Sequence, residues 1–192
     1  MFNAYDLPVA IPCGGQVLSI RQRGDYRVVL DTIAALNDEE LELDERVEAA
    51  LTIFYDTDIE SIEDVVAAMQ SMCDFLACNY RDEDENNPRK NRKLMDWHDD
   101  APMIISGVNR VLGMEVRAVA YLHWWTFVAA YMEIGESTLA TVISIRDKLA
   151  RGKKLQKHEQ DFRREHPEYF VFKQDKARMK RDMEDIAAMW GK

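Results

Sequence analysis

Fifteen consecutive positions, Ala118 to Met132, carry no Asp, Glu, Lys or Arg in a chain that is 31% charged. The run includes Tyr121-Leu122-His123-Trp124-Trp125-Thr126-Phe127. Successive helical residues are turned by about 100°, so the two adjacent tryptophans would aim at different faces. A helix apolar all round has to be covered on most sides. The pattern therefore predicts a central helix, with Leu122, His123, Trp124, Trp125 and Phe127 in the structural core.

The other elements follow from shorter patterns. Val9-Ala10-Ile11 and Gln16-Val17-Leu18-Ser19-Ile20 flank Pro12-Cys13-Gly14-Gly15, which reads as a small hairpin around a Gly-Gly turn. Asp25 caps a helix reaching Leu36, with Val28, Val29, Ile33 and Leu36 inward. A second helix spans Asp44 to Tyr55 and buries Val47, Leu51, Phe54 and Tyr55. A third, from Ile59 to Asn79, is expected to bury Ile62, Val65, Val66, Met69, Met72, Cys73 and Leu76, with Ser61 and Asp64 as a weak capping-box variant. Asp96-Trp97-His98-Asp99-Asp100 opens a helix that ends at Leu112-Gly113, its acids favoured by the N-terminal dipole. After the central helix, Glu136-Ser137 starts another, with Leu139, Val142, Ile143 and Leu149 at helical spacing, ending at Gly152. Beyond it lie a charged segment with only Leu155 and Phe162 apolar, a His166-Pro167 break, and the apolar patch Tyr169 to Phe172. A last helix, Asp175 to Trp190, carries Met179, Met183, Ile186 and Trp190 in one stripe. Methionine-rich stripes suit adaptable contacts, and these four are the candidate partner-binding residues.

Composition places these elements in one fold class. With 192 residues, 47% of them hydrophobic, the chain can bury a real core, and 8 glycines and 5 prolines are too few for a many-turned β fold. The expectation is a mainly α protein: a single helical bundle-like domain with a short N-terminal β-hairpin. Its segments are a hairpin (1–24), a helical core (25–152) containing a polar, mobile linker (81–93), and a charged C-terminal helical extension (153–192).

Charge is uneven. Asp25 to Glu85 holds 19 acids against 3 bases, while Arg146 to Lys192 holds 14 bases against 9 acids. The acidic part repels phosphates and the tail is too mixed in sign for a DNA footprint, so no nucleic acid partner is expected. Unlike regions could pair between copies, making a homo-oligomer possible, or could neutralise one another within a chain. The uncharged run falls short of the roughly 20 residues that span a bilayer, so no membrane partner is expected either. The N-terminus lacks a secretory pattern, and Cys13, Cys73 and Cys78 show no pairing pattern, which favours a reduced, cytoplasmic setting.

Candidate chemistry is thin. Asp96, His98, Asp99 and Asp100 are the best metal-ligand set, but adjacent helical residues diverge and no second cluster completes it; a helix start explains them better. His123 sits in the apolar run without a nucleophile motif, as a buried, hydrogen-bonded histidine would. The Gly14-Gly15 pair lacks the lysine and further glycines of a phosphate loop. No catalytic residue, cofactor or metal is expected.

The residues do resemble a family. Asp6-Leu7-Pro8, the Gly14-Gly15 hairpin, Asp25-Tyr26-Arg27 with Leu30, and above all Leu122-His123-Trp124-Trp125-x-Phe127 followed by Ile145-Arg146 are similar to the bacteriophage gene product fifteen family of tailed phages and prophages. The resemblance covers about residues 5 to 165; Gly107 and Val108 depart from an otherwise aromatic-rich pattern between Met103 and Glu115. It implies a non-enzymatic phage tail morphogenesis protein acting in the host cytoplasm. The expected role is a tail assembly chaperone whose partner is the tape measure protein or another tail protein. The alternative is a structural component of the virion, in the tail or connector.

Overall fold

The computed structural model describes residues 5–78 and 93–172. It is mainly helical, with one two-stranded antiparallel sheet near the N-terminus, as the sequence predicts. The strands β1 (Ala10–Cys13) and β2 (Gln16–Ser19) pair Ile11 with Leu18 and Cys13 with Gln16. Gly14 turns the hairpin at φ +63°. Ile11, Cys13 and Leu18 are buried, and Val17 on the other face is exposed.

The helices are α1 (Tyr26–Leu36), α2 (Leu43–Phe54), α3 (Val65–Leu76), α4 (Ala101–Leu112), α5 (Trp124–Met132), α6 (Thr138–Ala150) and α7 (Lys157–Glu165). By contacts the chain forms two compact units: Met1–Glu85 with Val111–Glu133, and Asn86–Arg110 with Ile134–Lys192. Both are assembled from separated stretches of chain, whereas the segments expected from sequence were contiguous and broke at 24 and 152.

In the first unit, α1 packs on α2 and α5, and α3 packs on α2 and β1. Its core contains Ile11, Leu18, Val29, Leu51, Phe54, Tyr55, Met72, Phe75 and Phe127. Fully burying one such side chain stabilises the fold by about 1.5–3 kcal/mol, so this cluster dominates the unit's energetics. In the second unit, Ile104, Val108, Leu139, Val142 and Ile145 are buried. A Cβ built on Gly107 would stand 2.6 Å from Cδ1 of Ile134, so α4 needs a glycine where that isoleucine presses on its backbone.

Several boundaries differ from the expected ones. The uncharged run is not one helix: Val116–Ala118 is a 3-10 turn, His123 is an N-cap, and only Trp124–Met132 is α-helical. The cause is competition for backbone groups. Leu122 N–H donates to Oδ2 of Asp25 (2.9 Å), Tyr26 N–H donates to Leu122 O (2.9 Å), and Arg27 donates to Val119 O (2.8 Å). The strap from Val119 to His123 is thus hydrogen-bonded to the start of α1 rather than to itself.

α3 likewise starts late, at Val65, because the carboxylate of Asp64 caps it by accepting from Ala67 N–H (2.9 Å), in place of the expected Ser61 box. That cap puts Val65 and Val66 in an exposed first turn, 41% and 80% accessible, where burial was expected, and it brings Phe75 into the core. In α1, Thr32 is buried and Ile33 only partly so; its hydroxyl donates to Val28 O (2.8 Å), which satisfies it without water. α4 begins at Ala101, after a turn formed by Asp96 to Asp100.

Candidate functional site

The strongest sequence motif lies at the joint between α1 and α5. Leu122, His123, Trp124 and Phe127 are buried, and Trp125 is half-buried. His123 caps α5: its Nδ1 accepts from Trp125 N–H at 3.1 Å, which leaves the proton on Nε2 to donate to Pro8 O at 3.1 Å. Burial pushes the imidazole pKa below its ordinary 6.5, so the ring is neutral. Gly24 approaches this ring at φ +75°, where a Cβ would lie 2.9 Å from Cζ of Phe75 and 3.3 Å from Nε2 of His123. A histidine with both nitrogens engaged and both faces covered is a structural cap.

The two tryptophans perform one task together. Their indole N–H groups donate to the last carbonyls of α3: Trp125 to Phe75 O at 3.0 Å and Trp124 to Leu76 O at 3.0 Å. Helix C-termini leave their last carbonyls without intrahelical donors, and here two side chains supply them. Because Trp124 and Trp125 stand in the first turn of α5, neighbouring positions can reach one helix end. The rings also pack: Tyr26 stacks on Phe127 (4.6 Å) and Phe127 on Trp124 (5.9 Å). Arg21 does for α2 what the tryptophans do for α3, donating to Ile53 O (3.1 Å), Thr52 O (3.1 Å) and Tyr55 O (2.8 Å).

The second unit has its own polar centre. Asp100 and Arg146 form a bidentate ion pair, 2.6 and 2.9 Å, with residue exposures of 1% and 8%. The guanidinium also donates to Leu94 O (3.0 Å) and Tyr169 O (2.9 Å) and lies 4.4 Å from the Phe172 ring centre. Asp100 Oδ2 in turn accepts from Asp96 N–H at 3.0 Å. One arginine therefore ties α6 to the chain before α4 and to the chain after α7.

This geometry assigns roles to the candidate metal set. Asp96 Oδ1 accepts from His98 and Asp99 N–H groups at 2.8 and 2.9 Å, and Lys93 pairs with its Oδ2 at 3.0 Å. Burial would raise the Asp96 pKa, but these donors and the Lys93 ammonium hold it below the usual carboxylate range. Asp100 is committed to Arg146. Among the described residues no group of three or more His, Cys, Asp or Glu is placed to hold a metal ion. Burial pushes the Cys78 thiol up to about 11, and that of Cys73 also upward, away from thiolate reactivity. No described helix is long and apolar enough to cross a membrane.

A family model described as Bacteriophage Gp15 protein matches residues 6–170. The chain belongs to this family. No curated protein and no solved structure matches it. Membership in the Gp15 family supports a phage structural or morphogenesis protein. The matched span contains both polar centres: the Asp25, His123 and tryptophan joint, and the Asp100–Arg146 pair. It stops short of Met179, Met183, Ile186 and Trp190, which also lie outside the described residues, as does the linker from 81 to 92.

Sequence reasoning missed the exposed apolar residues of the first unit. Leu43 (74% accessible), Val66 (80%) and Val17 (71%) are more open than most aliphatic side chains. The signal was present in Asp64: reading it as the N-cap places Val65 and Val66 in a first turn, outside the helix's buried stripe.

Proposed function

We propose that this Gp15-family protein is a phage tail assembly chaperone that binds the tape measure protein in the host cytoplasm and keeps it soluble until tube subunits displace it. The observation that carries the reading is the family match across residues 6–170. Its physical support is the way the side chains with reactive potential are used. His123, Asp25, Asp100 and Arg146 spend their hydrogen bonds inside the fold, so activity by binding fits better than activity by catalysis.

An acidic surface with exposed aliphatic residues suits an amphipathic helical client. From Asp38 to Asp64 there are 12 acids and one base, with Leu43 exposed among them. Contacts of this kind are weak singly, and many copies along one long client would add avidity while leaving each copy displaceable. The test is co-expression with the tape measure protein of the same phage. The expected result is a soluble complex that co-purifies; a tape measure protein equally insoluble with and without this chain rejects the proposal. Mass spectrometry of purified particles separates it from a virion component, since a chaperone is absent from finished tails.

A further inference from the structure

The hairpin turn abuts the start of α3. Gln16 donates from Nε2 to Ser61 O (3.0 Å) and accepts from Glu63 N–H (3.3 Å), and a Cβ on Gly14 would stand 3.5 Å from Cβ of Asp64. At this junction Val65 and Val66, in the first turn of α3, are exposed, framed by the exposed acids Glu60, Glu63 and Asp64. A single exposed aliphatic residue needs no explanation, but two adjacent ones in one first turn form an apolar knob.

The second unit carries an open depression and the opposite charge. Leu155, Gln160, Arg163 and Arg164 line an open depression of about 270 Å³. From Lys153 to Arg164 there are five bases and two acids, and both acids are already paired: Glu159 with Lys148, and Asp161 with Arg164 at 2.9 Å. Lys153, Lys154, Lys157 and Arg163 are exposed and have no acidic partner among the described residues. A half-buried leucine at the floor and a basic rim would accept an aliphatic knob with an acidic frame.

We infer that the valine knob at the hairpin–α3 junction of one copy docks into the Leu155 depression of a second copy, with Glu60 and Glu63 facing Lys154 and Arg163. The two surfaces differ, so the contact is heterologous and repeats from copy to copy, closing into a ring or continuing as a row. Opposite charge sets the partner and the rate of encounter, while the valines supply the desolvated centre. The inference stands on these surfaces alone and does not depend on what the protein binds in the phage.

Sedimentation velocity over a concentration series tests it. The full-length protein should associate reversibly, and raising salt from about 0.05 M to about 0.5 M should weaken association about tenfold, because exposed charges are screened. Val66→Ser, at a site too exposed to matter for folding, should weaken it as well. The double variants E60K/E63K and K154E/R163E should each be monomeric. An equimolar mixture of the two should associate again, since the wild-type surfaces still pair and the reversed charges at 60 and 63 of one variant meet the opposite reversed charges at 154 and 163 of the other. A wild-type protein that stays monomeric, charge variants that assemble like wild type, or a mixture that stays monomeric would each overturn the inference.

Discussion

In the first unit the buried polar side chains lean mainly on backbone groups: Asp25 accepts from the Leu122 and Arg27 backbone N–H groups as well as from the part-exposed Arg27 guanidinium (3.1 and 3.2 Å), and His123 takes Trp125 N–H and serves Pro8 O. In the second, Asp100 and Arg146 satisfy each other first and the backbone second. Backbone-directed bonds fix where chain segments run, because a carbonyl or amide cannot choose another rotamer. A buried ion pair is less forgiving: attraction only offsets the cost of desolvating two charges, and one partner alone is a heavy penalty. The two units should accordingly differ in how they respond to the loss of one polar group.

Breaking the ion pair should have the largest effect. Arg146→Met leaves a buried carboxylate without its counter-charge and takes the guanidinium donor from two carbonyls, and should lower unfolding stability by about 4 kcal/mol in urea titration. Adding Asp100→Leu removes the stranded charge and should restore part of that loss, so the double variant is more stable than the single one. Breaking the backbone-directed centre should cost less. His123→Ala removes a cap and orphans Pro8 O, which should cost about 3 kcal/mol. Gly24→Ala forces a Cβ against Phe75 at a positive φ and should cost about 2 kcal/mol, measured the same way.

The smallest effect sharpens the contrast through pH. The folded pKa of His123 lies below the ordinary 6.5, so folding favours the neutral ring. Its contribution is fully present above pH 6.5, declines as pH falls below that, and is lost once pH passes the lower folded value. Each unit of depression is worth about 1.4 kcal/mol. His123→Gln should flatten this part of the stability profile relative to wild type.

Local patterns made much of the fold legible. Asp25, Ser137 and the Gly14 turn announced their elements because a cap or a turn is decided within a few residues. The strap before α5 was not legible, since its fate depends on a carboxylate 97 positions away in sequence, as Leu122 N–H bonds Asp25. The role of the tryptophan pair was hidden for the same reason: apolar character suggested burial, but the indole N–H groups find their carbonyls on α3. From sequence the Asp96 to Asp100 cluster reads as a helix start, with metal binding the weaker alternative. What decides Asp100's role is Arg146, 46 residues on, and no spacing rule connects them.

The central claim is that the polar residues of the family motifs build the frame, while binding belongs to the surface. Its most direct test is the soluble fraction of tape measure protein co-expressed with wild type and with the Asp100→Leu/Arg146→Met variant, once circular dichroism shows that variant to be folded. The account predicts that both keep the client soluble to a similar extent. A folded variant that fails where wild type succeeds would contradict it, by making the buried ion pair part of the working site.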